Sequence, residues 1–326
     1  MSADHLTATP TQLAAGVQAV LAGADLNTAA SDCGLEAVQL AEAVQTYHAA
    51  GLAALEQRAE HAWYQINVEF SDWSAAETVG ATQLGARLAH LEERGELGTW
   101  WFLRKHPCWR LRLRHPDVAA VNRQLDELTT TGGIARWWRT TYEPETAAFG
   151  GTDGMDTIHD LFCADSCGVL AYLRHEHPGI GRRELSILLI SGLFQAAGLD
   201  TFERGDVFAR VAQLRPTPTD TNATRIEQLA ENVRVLLSVP DLPTSGLFSP
   251  GEPAAHAGSW LAAFQTAGHQ VGTAAARGEL KRGLRAILTH VLIFHWNRFG
   301  LSATGQSVLA RAATMALLPE VGTPGV

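Results

Sequence analysis

Beginning at Trp63, the chain alternates apolar and more polar side chains with a period of two residues. The apolar positions are Tyr64, Ile66, Val68 and Phe70. Successive side chains of a strand point to opposite faces of a sheet, so this alternation predicts a strand with one face in the core.

Similar patterns continue to about residue 143. They predict a helix over residues 75–94, strands over 100–105 and 108–114, a helix over 117–128 and a fourth strand over 134–143. The order β-α-β-β-α-β is that of a ferredoxin-like split sheet, in which the third strand lies beside the first. The two helices would cover the apolar face of this sheet.

Everything after residue 156 has helical spacing, in seven segments that end at residue 317 and are separated by Pro-, Gly- and Thr-rich breaks. Residues 1–60 also have helical spacing. We therefore predict an α+β protein, with a small N-terminal helical module (1–60), a domain over 61–318 that contains the split sheet and a large helical region, and a tail (319–326).

Charge limits the partners of this chain. Its 326 residues carry a formal net charge of −9, which argues against a surface that follows nucleic acid or an anionic membrane. The N-terminal module faintly resembles a helix-turn-helix, but it has seven acidic residues against the single Arg58. We expect a docking or peptide-contacting module and no DNA partner.

Cysteine and apolar content favour a cytoplasmic protein. Four cysteines in a chain of this length, with no secretion signal at its start, are typical of reduced thiols. The longest apolar run, residues 287–294, is too short to cross a bilayer, and we expect no membrane contact.

Three arginines stand at every second position of the predicted third strand. Arg110, Arg112 and Arg114 would lie about 7 Å apart on one sheet face, with large apolar residues on the other. Neighbouring guanidinium groups repel each other by about 2 kcal/mol at such a spacing, so the row needs anions. Either Glu69, Glu143, Glu145 and other acids of the chain neutralise the row, or its outer members are solvated, or part of the row binds a carboxylate of a substrate.

A possible zinc site lies in a predicted buried helix. His159, Cys163 and Cys167 recur every four residues and share a helix face, but no fourth ligand is apparent. The apolar surroundings favour core thiols, and we expect no metal. The chain also has no phosphate loop, dinucleotide fingerprint or nucleophile elbow, so we expect no cofactor.

Four blocks of sequence follow one another in a specific order and spacing. They are WWFLRKHPCWRLRLR (100–114), YEPETAAFGGTDGM (142–155), HDLFCADSCGVLAYL (159–173) and HVLIFHWNRFGLSATGQ (290–306). In this arrangement the chain resembles the thiopeptide-type bacteriocin biosynthesis family, which is related to the C-terminal glutamate-eliminating domain of lantibiotic dehydratases. The resemblance covers roughly residues 63–317, and residues 1–60 look like an extension found on some members.

The resemblance implies an enzyme that matures a ribosomally synthesised precursor peptide. One chemistry of such proteins is β-elimination of glutamate from glutamylated Ser or Thr, which gives dehydroamino acids. The other is a formal [4+2] aza-cycloaddition of two dehydroalanines, which forms the thiopeptide pyridine and releases the leader. Neither implies a cofactor, and elimination implies a partner dehydratase that transfers the glutamyl group.

The resemblance also implies site residues for elimination. Arg112 and Arg114 match the paired arginines of the family, and His295 is the candidate acid or base, with Asn297 and Arg298 beside it in sequence. We expect the active site between the arginine face of the sheet and the helix that carries His295.

Asp165 and Ser166 fall in a third matching block, where they either orient their helix and cap a neighbour or contact substrate.

Two departures from the family pattern keep cycloaddition open. Ala147, Ala148 and Phe149 stand where full-length dehydratases usually have an arginine, and Ile293 stands where they tend to have a histidine. Against cycloaddition, tyrosines are scarce, since only Tyr172 follows Tyr142. We expect elimination. A further alternative is a non-catalytic subunit that binds the precursor peptide.

Overall fold

The computed structural model describes residues 8–60, 63–215 and 223–318. The chain divides into two compact units, residues 1–62 and 63–326. The tail predicted over 319–326 lies outside the described residues.

The N-terminal unit contains three helices, α1 (Pro10–Leu21), α2 (Leu26–Cys33) and α3 (Ala37–Glu60). Thr9 and Gln12 form a capping box at the start of α1, and the Asp25 side chain accepts the first backbone N–H groups of α2. Gly34 ends α2 in the left-handed region, at φ 65°. A small separate core holds this unit together, with Val17 and Leu40 among its buried members.

The second unit begins with a four-stranded antiparallel sheet. Its strands are β1 (Trp63–Phe70), β2 (Thr99–Lys105), β3 (Cys108–Arg114) and β4 (Ile134–Thr140), in the spatial order β2-β3-β1-β4. The predicted α+β fold is confirmed, including the position of the third strand beside the first.

The register places the arginine row as the alternation predicts. Arg112 lies opposite Gln65 of β1 on one side and opposite Trp101 of β2 on the other. The register of the β1–β4 pair shifts between Glu69 and Phe70, at the end of β1.

Helices cover the apolar face of the sheet. They are α4 (Ala76–Val79), a π-helical turn (Gly80–Leu84), α5 (Gly85–Glu93) and α6 (Val118–Thr130). A Cβ atom at Gly80 would lie 2.3 Å from the indole of Trp109, so a side chain there would clash with this buried ring. Trp109 in turn stacks on Phe102 at 4.4 Å between ring centroids.

The rest of the unit is helical. Its helices are α7 (Thr152–Arg174), α8 (Arg182–Ala196), α9 (Thr201–Leu214), α10 (Ala223–Leu237), α11 (Gly258–Ala276), α12 (Leu284–Arg298) and α13 (Ala303–Leu317), with a 3₁₀ turn at Ala255–Ala257. Within the described ranges, no helix is both long and apolar enough to cross a membrane.

Two element boundaries differ from the predicted ones for identifiable reasons. Strand β4 ends at Thr140 and not near residue 143, and the Gln65 side chain takes up the carbonyl of Thr141 in place of a further strand partner. The helical spacing predicts that the helix before residue 298 begins at residue 280, but α12 begins at Leu284. The backbone N–H of Lys281 is bonded to the carbonyl of Gly150, outside any helix.

Candidate active site

The three arginines of β3 differ in burial, and none of them forms an ion pair with a described residue. Arg112 is 2 % exposed, whereas Arg110 and Arg114 are half-buried. Among the described residues, no carboxylate lies within ion-pair distance of any of the three, and Glu69 pairs with Arg136 of β4 instead. The sequence left open that acids of the chain neutralise the arginine row. The described residues do not form such ion pairs.

Arg112 is held rigidly on the sheet. Its Nε donates to Oε1 of Gln65 at 2.8 Å, and its guanidinium carbon lies 4.1 Å from the ring centroid of Trp101 and 4.9 Å from that of Tyr142. Gln65 is fixed in turn, since its Nε2 donates to Oγ1 of Thr140 at 2.7 Å and to the carbonyl of Thr141 at 3.0 Å. Nη1 of Arg112 is buried and has no hydrogen-bond partner among the described residues.

Burial lowers the pKa of Arg112 to about 10, while Tyr142 and Glu145 act in the opposite direction. The guanidinium therefore remains charged near neutral pH. Oε2 of Glu145 is also buried and, within the described chain, has no hydrogen-bond partner. A buried cation and a half-buried carboxylate thus each retain unused hydrogen-bonding capacity, which polar substrate groups can satisfy.

A phenol and an imidazole lie beside Arg112. The Tyr142 hydroxyl is 2.8 Å from Nε2 of His159, and the ring of His159 packs against Trp63 at 4.7 Å and Trp101 at 6.2 Å. Burial, with Arg114 and Arg112 nearby, lowers the pKa of His159 to about 4, and burial raises the pKa of Tyr142. Both groups are neutral at pH 7.

A second polar cluster is centred on Asp165 of α7. Its carboxylate forms a contact with Nη1 of Arg298, lies 2.9 Å from Nδ1 of His295 and accepts from Nε1 of Trp260 at 3.0 Å. Burial alone would raise the pKa of Asp165, but His295 and Arg298 hold it below its ordinary value. The three charged or titratable side chains of this cluster are at most 1 % exposed.

His295 uses both ring nitrogens inside the protein. Its Nε2 lies 3.0 Å from Oγ of Ser186, which also accepts from Nε1 of Trp296 at 2.8 Å. Asn297, half-buried on the same helix, accepts from Nε2 of Gln306 at 2.8 Å. The described contacts thus join His295 and Asn297 to neighbouring helices and not to the arginine row.

The Asp165 cluster also completes the outer edge of the sheet. Nε of Arg298 donates to the carbonyl of Phe102 at 2.9 Å, and the N–H of Phe102 donates to Oγ of Ser166 at 3.1 Å. Ser166 itself donates to the carbonyl of Phe162 at 2.8 Å. The outward-facing N–H and carbonyl of Phe102 on edge strand β2 are therefore bonded to side chains of α7 and α12.

Trp101 lies between the two clusters. Arg298 is 5.7 Å from its ring centroid, compared with 4.1 Å for Arg112. Of the sequence-predicted site residues, the structure groups Asp165, His295 and Arg298 around one carboxylate, while Arg112 and Arg114 lie near Tyr142 and His159.

The positions that depart from the family pattern are apolar in the fold. Phe149 is fully buried and packs against Phe162 and Phe294, next to the half-buried Ala148. Ile293 is buried as well. No charged side chain replaces the arginine or histidine that the resemblance implies at these two positions.

Sequence reasoning did not pair Tyr142 with His159. The available signals were their positions at the start of two recognised blocks and the location of Tyr142 directly after β4. His159 was instead considered with Cys163 and Cys167 as a metal ligand. In the described ranges no group of three or more His, Cys, Asp or Glu side chains is arranged to hold a metal ion.

The antiparallel split sheet, with helices packed against it and a buried arginine on its polar face, makes the second unit an α+β domain. The family described as "Lantibiotic biosynthesis dehydratase C-term" matches residues 63–317. This chain belongs to that family.

Solved structures agree in fold. The tRNA-dependent lantibiotic dehydratase MibB from Microbispora sp. 107891 aligns with a TM-score of 0.59 and 17% identity, over 78% of this chain and 28% of that one. TsrL aligns with a TM-score of 0.56 and 16% identity, over 79% of this chain and 99% of that one. The pyridine synthase TbtD from thiomuracin biosynthesis aligns with a TM-score of 0.54 and 14% identity, over 78% of this chain and 97% of that one. This chain therefore spans about a quarter of MibB. No curated protein matches it.

Proposed function

We propose that this chain matures a ribosomally synthesised peptide by eliminating glutamate from glutamylated Ser or Thr side chains. The observation that supports this most is Arg112, a buried cation with an unused Nη1 and no carboxylate in contact among the described residues. Keeping an unpaired charge out of water is costly, so a substrate anion at this position offsets an existing penalty.

The glutamyl group has the matching chemistry. Esterified to Ser through one carboxyl, it keeps its other carboxylate, and its departure creates a second. Arg112 can bind one of these anions, and the half-buried Arg114 and Arg110 of the same strand extend the positive row toward solvent. The precursor peptide, glutamylated by a partner dehydratase, is the proposed substrate.

The proposal gives the Asp165 cluster a positioning role. Arg298 fixes the carbonyl of Phe102, and Trp101 beside it forms one wall of the Arg112 site. His295 acts through Asp165 in the same cluster, and Ser166 fixes the N–H of Phe102. Asn297 supports α12 through Gln306.

The test is glutamate release. The purified protein is incubated with a pool of peptides that carry glutamate esterified to serine, and free glutamate and dehydrated peptide are measured by mass spectrometry. We expect both products, and we expect Arg112→Gln to lower kcat/KM by about 10²-fold or more, as loss of one preorganised charge-stabilising donor does. The matched control is Arg139→Gln, an exposed arginine on the opposite face of the sheet. If no peptide of the pool releases glutamate, the elimination proposal is rejected.

A second candidate is the formal [4+2] aza-cycloaddition. The apolar packing of Phe149 and Ile293, where elimination by this family implies a cation and a histidine, favours it. Its test is a peptide with two dehydroalanines, and its signature is a macrocycle with released leader. Unchanged peptide bound tightly in both assays would instead indicate a precursor-binding subunit.

A further inference from the structure

Tyr142 and His159 form a hydrogen-bonded pair of titratable side chains that has no structural need to be polar. Tyr142 lies in the segment after β4 and His159 in α7, and both are largely shielded from solvent. Their O···N distance is 2.8 Å. Around them stand the aromatic rings of Trp63 and Trp101, a setting in which apolar side chains would pack equally well.

The pair adjoins the one arginine of the row that is buried. The guanidinium of Arg112 lies over the ring of Tyr142 at 4.9 Å, and its unused Nη1 belongs to the same group. An anion held by Arg112 would therefore bring its attached atoms near the side chain of Tyr142. General acid–base catalysis requires this kind of proximity between a proton acceptor and the reacting carbon.

The pair also has a route to solvent. Nδ1 of His159 lies 4.0 Å from the carboxylate of Asp156, one turn earlier in α7, and Asp156 is exposed. The separation is too long for a direct hydrogen bond, so a water molecule between the two groups would complete a proton path from Tyr142 through the imidazole to Asp156. His295, by comparison, has its ring nitrogens occupied by Asp165 and Ser186.

We propose that Tyr142 and His159 are the acid–base pair of this enzyme and remove the Cα proton of the glutamylated residue bound at Arg112. This inference rests on the proposed function and assigns a catalytic role that the sequence had given to His295.

The step balances as follows. The phenol oxygen of Tyr142 takes the Cα proton while Nε2 of His159 takes the phenol proton. The C–H electron pair forms the Cα=Cβ bond, and the Cβ–O bond breaks with its electrons leaving on the glutamate carboxylate, which Arg112 holds. His159 then loses a proton from Nδ1 to solvent by way of Asp156. The net products are dehydroamino acid, glutamate and one proton.

Substrate binding would activate the pair. The groups that face His159 are Arg112 and Arg114 from β3, Tyr142 after β4 and Asp156 on its own helix. Burial is the main cause that lowers the pKa of His159, and Arg114 and Arg112 lower it further. A carboxylate on Arg112 offsets part of the effect of the arginines, so the imidazole becomes a better base when the substrate anion is present.

The decisive experiment measures proton removal separately from glutamate loss. In an analogue with glutamate joined to diaminopropionate by an amide, the Cα proton can exchange while the amide is not expelled. In D₂O we expect the wild-type protein to exchange this proton, and Tyr142→Phe and His159→Gln to slow exchange by about 10²-fold or more. Peptide affinity should change by less than about twofold, because neither variant removes the Arg112 contact.

Three results would overturn the assignment. The first is exchange at the wild-type rate in both variants. The second is loss of exchange in His295→Gln together with its retention in Tyr142→Phe and His159→Gln. The third is loss in Glu145→Gln alone, which would make the half-buried carboxylate the base.

Two readouts keep the inference distinguishable from the proposed function. If the wild-type protein releases glutamate but the pair variants do so equally well, the assignment fails and elimination stands. If the wild-type protein neither releases glutamate nor exchanges the Cα proton, both fail. Thermal melting of each variant checks that loss of exchange does not reflect unfolding.

A separate measurement tests the coupling to Arg112. We expect the NMR titration midpoint of His159 to rise when glutarate is added to the wild-type protein and to stay unchanged by glutarate in Arg112→Gln. No change in the wild-type protein at saturating glutarate would contradict activation by the bound anion.

Discussion

Two buried arginines flank the ring of Trp101, and they are partnered in opposite ways. Arg298 is fully buried and meets the carboxylate of Asp165 and the carbonyl of Phe102. Arg112 is 2 % exposed, has one neutral partner in Gln65 and leaves Nη1 unused. One guanidinium completes the fold, and the other remains available for an anion from outside the chain.

The difference shows that burial alone does not indicate what role an arginine has. A buried charge paired with a carboxylate is typical of a structural network, whereas the buried charge of Arg112, held by a neutral group, is the one that our proposal assigns to a substrate anion. The two kinds respond differently to mutation, and the following experiments test whether they do so here, in order of decreasing expected effect.

Asp165→Asn should destabilise the protein by about 3–5 kcal/mol, because it leaves the charge of Arg298 buried without its counter-ion. Urea unfolding measures the change. Adding Arg298→Met to this variant should recover part of the loss. Equal stability of Asp165→Asn and the wild-type protein would show that the ion pair contributes little.

His159 should make stability depend on pH. Its pKa of about 4 in the fold lies below its ordinary value of 6.5, so between these values the unfolded chain binds the extra proton. Stability should therefore fall as pH decreases from about 6.5 to about 4, by about 3 kcal/mol. The free energy of unfolding should depend less on pH across this range in His159→Gln than in the wild-type protein. An equal pH dependence in the two proteins would contradict a neutral buried imidazole.

Arg112→Met should lower the free energy of unfolding by less than about 1 kcal/mol, or raise it, because the variant removes a buried charge that no carboxylate offsets. Arg298→Met, the matched variant of the other arginine, should be clearly destabilised. If both variants lose similar stability in urea, the contrast between the two sites is wrong.

Arg110→Gln should have the smallest effect. Arg110 is half-buried at one end of the row, and a charge that is partly in contact with solvent contributes about 0.5 kcal/mol, or about twofold in kcat/KM. The effect should shrink further as salt is added, since salt screens exposed charges. A loss of kcat/KM as large as that of Arg112→Gln would indicate that the substrate carboxylate binds at Arg110 and not at Arg112.

The fold could be predicted largely from the sequence because its signals are local. The alternation from Trp63 onward and the Asp117 cap before α6 each specify an element on their own. The boundaries that were missed, such as the start of α12, depend on Lys281 meeting Gly150, a contact that no local pattern encodes.

The candidate site was less predictable for the same reason. The period of two placed Arg112 on the polar face, but its burial follows from the rings of Trp101 and Tyr142, which come from other elements. The surroundings of His295 depend on Asp165 and Ser186, more than 100 residues away in the chain. Sequence blocks identified these residues without giving their partners.

The capping of Phe102 by Arg298 and Ser166 has a consequence for how such a domain can diversify. The position of Trp101, the wall beside Arg112, is determined by backbone contacts of an edge strand and not by the side chains proposed to meet the peptide. Substitutions around the arginine row therefore leave the contacts that position Trp101 untouched, so the side chains of this sheet face can vary on an unchanged scaffold.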